Sequence, residues 1–148
     1  MKKLSILFLS VLTLGLSVVS CDDNDDKPSI EGKWELSQIG GGIEGGEEEV
    51  INPNEGSLCS GPTIEFLKDN QLITTSSNQT TEGTCETFSE NGRWTQEGNS
   101  VIIYPSAEND ENQQKFEIKE LTKDKLKLYI SITSEGVTTY QFLLLTRK

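Results

Sequence analysis

The chain predicts an all-β domain: an antiparallel meander of eight or nine strands, closed into a barrel or folded into a sandwich. Three observations carry this. From Gly32 onward, apolar residues recur with a period of two rather than 3.6. Short turn signals separate the runs, at Asp69-Asn70, Glu97-Gly98-Asn99, Lys123-Asp124 and Ser134-Glu135-Gly136. The Lys/Glu-rich stretch 113–130 has helical propensity but no helical face, because Lys119 and Glu120 stand three and four places after Phe116.

The elements follow in order. Trp34 and Leu36 alternate with Lys33, Glu35 and Ser37 in a first strand. Residues 40–62, opening Gly-Gly-Gly-Ile-Glu-Gly-Gly-Glu-Glu-Glu, read as one long loop that covers the mouth of the fold. Ile64 and Phe66 mark the next strand, and Leu72 to Ser76 another. Thr84 to Phe88 is a weaker strand, and Gly92 to Gln96 a separate one centred on Trp94. Val101 to Tyr104 follows, then Phe116 and Ile118 leading to Leu121. Leu126, Leu128, Ile130 and Ile132 alternate with Lys127, Tyr129, Ser131 and Thr133, and Thr138 to Arg147 ends the sheet. The inward set is expected to be Trp34, Leu36, Ile64, Phe66, Leu72, Trp94, Val101, Ile103, Phe116, Ile118, Leu126, Leu128, Ile130, Tyr140, Phe142 and Leu144. Most are bulky, so the interior is expected to be narrow, with room for a small ligand near the mouth.

The N-terminus carries a different message. Lys2 and Lys3 precede an apolar run from Leu4 to Val19, broken only by Ser, Thr and Gly. That is the plan of a secretory signal. A retained transmembrane helix needs about 20 apolar residues, and this run is shorter; plain secretion is the other alternative. Ser20-Cys21 resembles the lipobox of bacterial lipoproteins, in which cleavage precedes a cysteine that receives acyl chains. The resemblance implies a signal peptide at 1–20, a lipidated Cys21, an acidic tether at 21–30 and a domain at 31–148. A calcium loop starting at Asp22 is disfavoured, since its sixth and twelfth places hold Lys27 and Lys33. Asp22 to Asp26 resembles the acidic stretch that accompanies export to the outer face of the outer membrane in Bacteroidetes-type bacteria. In other bacteria, aspartate after the cysteine retains lipoproteins at the inner membrane.

Composition narrows the function. The chain holds 13 basic and 24 acidic residues, for a net charge of −11. Such a surface repels phosphate backbones, so no nucleic-acid partner is expected. With no histidine, serine–histidine and cysteine–histidine nucleophiles and the usual zinc sites are excluded. No catalytic residue, metal site or cofactor is expected, and the protein is not expected to be an enzyme. Cys59 and Cys85 remain after lipidation, and in an exported protein a pair is most simply a disulfide. Two free thiols in an organism living without oxygen are the alternative; a metal or redox role lacks the Cys-x-x-Cys spacing.

Gly32-Lys33-Trp34 opens the first strand and Arg147 sits near the end of the last. This resembles the lipocalin and fatty-acid-binding superfamily, whose barrels begin with Gly-x-Trp and often bring a late arginine across that indole. Together with the lipid cysteine, the cysteine pair and the later Trp94 strand, the layout is similar to the small lipocalin-like lipoproteins of Bacteroidetes-type bacteria, which are calycin-like β-barrels. No helix precedes the last strand, where many lipocalins have one. The resemblance implies structural roles for Gly32 and Arg147, and a cavity for which the candidate lining residues are Trp34, Phe66, Trp94, Tyr140 and Phe142. It implies an outer-membrane lipoprotein facing the exterior that binds a small apolar or amphipathic ligand. The alternative is a solidly packed β interaction module docking to other envelope proteins.

Overall fold

The computed structural model describes residues 27–108 and 110–148. The signal segment, Cys21 and the acidic run lie outside these residues. Nine strands follow in chain order: β1 (Gly32–Ile43), β2 (Glu48–Ile51), β3 (Thr63–Phe66), β4 (Gln71–Gln79), β5 (Cys85–Glu97), β6 (Ser100–Tyr104), β7 (Gln114–Leu121), β8 (Lys125–Ser134) and β9 (Val137–Arg147). All pairings are antiparallel. A single 3₁₀ turn at Lys68–Asn70 is the only helical element among the described residues.

β1 pairs with β9 from Trp34–Arg147 to Ile43–Thr139, and this closes the sheet into a barrel rather than a sandwich. β2 and β3 share one lane beside β1: β2 lies against Ile39–Gly42 and β3 against Gly32–Glu35. Residues 52–62 leave that lane and return. The gap they leave is bridged where Leu36 N donates to Pro62 O (2.9 Å) and the Asn54 amide donates to Leu36 O (3.1 Å). Eight lanes thus form the closed barrel, with β2 as an extra strand.

Three sequence expectations are corrected here. Residues 40–62 are not one loop: β1 runs on to Ile43, and β2 folds back on it. The glycines serve close packing rather than turning, since a Cβ on Gly40 would lie 2.2 Å from Phe142 Cζ. The strands expected at 84–88 and 92–96 are one continuous β5, paired with β4 from Gln79–Cys85 to Gln71–Arg93. Ile30, expected in the tether, is buried in the domain.

The core fills the half of the barrel where β1 begins and β9 ends. Trp34, Phe66, Leu72, Val101, Leu126, Leu128 and Leu145 are its most completely buried side chains. Each contributes on the order of 1.5–3 kcal/mol through burial. Phe66 and Trp94 meet edge to face, with centroids 5.3 Å apart. Four connections lie at the other end, residues 44–47, 80–84, 105–113 and 135–136, while the 52–62 excursion leaves and rejoins the sheet at mid-height of β1. Cys59, in the 52–62 excursion, is joined to Cys85 at the start of β5, with Cα atoms 5.6 Å apart. Linking residues 26 apart contributes about 3 kcal/mol in the chain-entropy model.

Candidate functional site

A cavity of about 630 Å³ opens at the end away from the core. Its apolar lining is five isoleucines: Ile39, Ile43, Ile51, Ile130 and Ile132. Gly41, Thr139, Gln141, Glu47 and Glu49 complete the inner wall. This volume sits within the ordinary range for small-molecule pockets. The cavity is confined to the mouth and open to solvent. Its lining comes from the adjacent β8, β9, β1 and β2 and the β1–β2 turn, and Ile43, Ile51 and Ile132 are more than half exposed, while bulky side chains fill the lower half of the barrel. None of residues 52–62 lines it, so the expected loop cover is replaced by the β1–β2 hairpin as rim.

A β-bulge builds this wall. Trp34 and Leu36 face inward; between Leu36 and Gln38 the register slips by one residue against β9. Beyond the slip, Ile39, Gly41 and Ile43 face inward instead. Ser37 fixes the bulge by donating its hydroxyl to Leu144 O at 2.8 Å. β8 needs no such change, and Leu126, Leu128, Ile130 and Ile132 share one face.

Of the predicted cavity residues, Tyr140 alone touches the cavity. Trp34, Phe66 and Trp94 belong to the packed core and do not line the cavity. Trp34 Nε1 donates to Ile30 O at 2.7 Å, and Trp94 Nε1 to Leu67 O at 3.0 Å, so both indoles are satisfied locally. On β9, Gln141, Leu143 and Leu145 face inward, opposite Ile130, Leu128 and Leu126. Tyr140, Phe142 and Leu144 therefore face out, which corrects the expected inward set. Phe142 lies over Gly40 and under Lys127 Nζ, 4.1 Å from its centroid. Tyr140 reaches the cavity's edge, but its ring stacks on Tyr129 at 5.4 Å. Its hydroxyl donates to Glu48 Oε2 at 3.1 Å. Desolvation, that hydrogen bond, the charge of Glu48 and then Tyr129 raise the Tyr140 pKa above the ordinary 10.0.

The opposite end is closed by Arg147. Its guanidinium lies 4.1 Å from the Trp34 ring centroid. Nε donates to Lys123 O (2.6 Å), Nη1 to Glu31 O (2.9 Å) and Nη2 to Ser29 O (2.7 Å). Gly32 has φ +122°, and a Cβ there would come 2.4 Å from Nη1. The Gly-x-Trp opening thus has a physical reason: the glycine leaves space for the arginine that covers the tryptophan.

Charge is unevenly placed. The four mouth connections carry Glu44 and Glu47, Glu82, then Glu108, Asp110 and Glu111, and finally Glu135, with no lysine or arginine among their described residues. Asp110 is paired with Arg93 from β5. The closed-end connections mix signs: Lys27, Lys68 and Lys123 stand near Glu31, Asp69 and Asp124. Among the described residues, no three His, Cys, Asp or Glu side chains converge as a metal site would require.

Four of the five isoleucines stand outside the expected inward set: Ile43 and Ile51, because a glycine-rich stretch reads as loop, Ile39, which directly precedes that stretch, and Ile132, which alternates with Ile130 at the end of its strand. The signal that could have found them is the Ile-Gly-Gly-Gly-Ile spacing at Ile39 and Ile43, which shares one strand face.

Comparison with curated proteins gives no match. Among solved structures, a lipocalin-like protein from Bacteroides uniformis is 18% identical, with 80% of this chain and 97% of that one covered, at a TM-score of 0.46. Lobster apocrustacyanin A1 is 17% identical over 86% of this chain and 65% of its own, at a TM-score of 0.50. A bovine odorant-binding protein variant is 17% identical over 79% and 72%, at 0.40. Such identities speak for the fold alone. The Lipocalin-like domain family matches residues 30–128, from the residue that Trp34 holds to the middle of β8. With a closed eight-lane barrel, a Gly-x-Trp start and a match across most of the domain, the chain belongs to the lipocalin-like family.

Proposed function

We propose that this protein is a lipid-anchored, extracytoplasmic binding protein that takes a small apolar or amphipathic molecule into its isoleucine cup. The observation that carries the binding part is the cavity itself: about 630 Å³, apolar in lining, at the open end of a barrel plugged at the other. The lipocalin-like fold typically binds small hydrophobic ligands, and its members are generally carriers rather than enzymes. The anchoring part rests on Lys2-Lys3, the apolar run and Ser20-Cys21, and the outer-membrane, exterior-facing placement on Asp22 to Asp26. The rival reading, a barrel filled solid that docks to envelope proteins, requires the space that the cup occupies.

Two measurements test it. A neutral, polarity-sensitive fluorophore brightens on binding the cup, and Ile130→Trp, which fills the space, weakens that binding at least about tenfold. Equal binding by the variant would remove the cavity as the site. Cys21→Ser shifts the protein from the detergent phase to the aqueous phase; partition unchanged from the parent would remove the anchor.

A further inference from the structure

We propose that the cup selects amphipathic cations, molecules with an apolar body and an ammonium-like group. The inference rests on the cup being the binding site, and adds a ligand class to it. Gly41 faces the cavity, paired with Gln141 on one side and Glu49 on the other. A Cβ on Gly41 would come 2.5 Å from Tyr140 O and 3.3 Å from Gln141 Cγ, so β9 packs directly against the bare backbone there. A carboxylate and an amide therefore stand on either side of Gly41 on the cavity wall, between Ile39 and Ile43 along β1. An ammonium there meets one anionic acceptor and one neutral acceptor, with isoleucine on either side for the apolar body.

Two further features fit the same charge. Among the described residues lining the cavity, the charged ones are Glu47 and Glu49, and neither has a cationic partner. Glu48 faces the other way and is engaged by Tyr140. The carboxylates of the mouth connections add a negative field around the opening, which draws cations inward and repels fatty acids and phosphate esters. These are screened, exposed groups, so each contributes modestly. Two such pairs make an amine bind about fivefold to tenfold tighter than a neutral analogue.

The test uses decylamine, decanol and decanoate, each displacing the neutral fluorophore from the full chain in low salt. The expected order is amine, then alcohol, then carboxylate. Raising salt compresses the order, and Glu49→Gln brings the amine down toward the alcohol; Glu47→Gln does the same to a smaller degree. Equal affinities for all three, or tighter binding of decanoate, overturn the charge selection while leaving the cup as an apolar site. Displacement by none of the three overturns the cup and the selection together.

Discussion

Arg147 shows how one residue can hold a fold closed. Its guanidinium joins the segments at Ser29, Glu31 and Lys123 and covers Trp34. Three hydrogen bonds and a cation–π contact together predict that Arg147→Ala costs about 2–4 kcal/mol. Arg147→Lys is expected to recover only part, because an ammonium cannot reach three carbonyls in one plane. Gly32→Ala costs about 1–3 kcal/mol, from both the positive φ and the clash with Nη1. The two sites touch, so the double variant Gly32→Ala/Arg147→Ala loses less than the sum; urea midpoints at constant slope measure this. Strict additivity would mean that the glycine is not there to seat the arginine. Tyr140 gives a second residue-scale prediction. Its pKa is raised in the folded state, so above about pH 10 the native protein holds a proton that the unfolded chain has released. The stabilisation is complete below that pH and is lost as pH rises through the folded value. Tyrosinate absorbance should show one of Tyr104, Tyr129 and Tyr140 titrating late, and that step should vanish in Tyr140→Phe. Persistence of the late step would assign it to another ring.

At the scale of elements, pairing decides what periodicity leaves ambiguous. β3, β7 and β8 were legible because apolar and polar residues alternate cleanly along them, as in Leu126 to Thr133, whereas the polar middle of β5 broke one strand into two expected ones. β9 was legible as a strand but its facing was not, because Leu143-Leu144-Leu145 offers an apolar residue to each face. Yet a period of two puts Arg147 on the same face as Leu145, Leu143 and Gln141. An arginine over the inward Trp34 therefore excludes an inward Phe142, and that conflict was readable in the sequence alone. The slip at Ser37 was not readable, since a bulge is set by the partner strand's register. β2 was hidden for a different reason: Gly40 and its neighbours look like a loop until Phe142 is known to lie across them. The break between β2 and β3 also leaves Ser76–Gln79 of β4 paired only with β5. The disulfide ties the intervening excursion to this hairpin. Reduction is expected to cost about 3 kcal/mol and to speed hydrogen exchange in 52–62 and 76–79, while β8–β9 stays protected. Exchange that rises equally across the barrel would show that the bond supports the whole fold rather than this corner.

The whole molecule is a barrel with two unlike ends. One is plugged, mixed in charge, and is where Lys27 to Ile30 join the domain; the other is open, acidic and lined with isoleucine. If Cys21 carries the anchor, the six residues from it to Lys27 span at most about 20 Å. The plugged end is then held close to the bilayer, and the cup opens away from it. An anchored protein so oriented receives its ligand from the surrounding medium rather than from its own membrane. The acidic mouth agrees with this, since anionic headgroups would repel it. Fluorophores attached at Lys68, on the plugged end, and at Glu135, on the rim, test the arrangement in vesicles bearing the lipidated protein. A quencher carried on lipid headgroups should dim the label at position 68 strongly and the label at 135 little. Quenching at 135 as deep as at 68 would mean that the mouth lies against the membrane, and a ligand drawn from the bilayer would become the better reading.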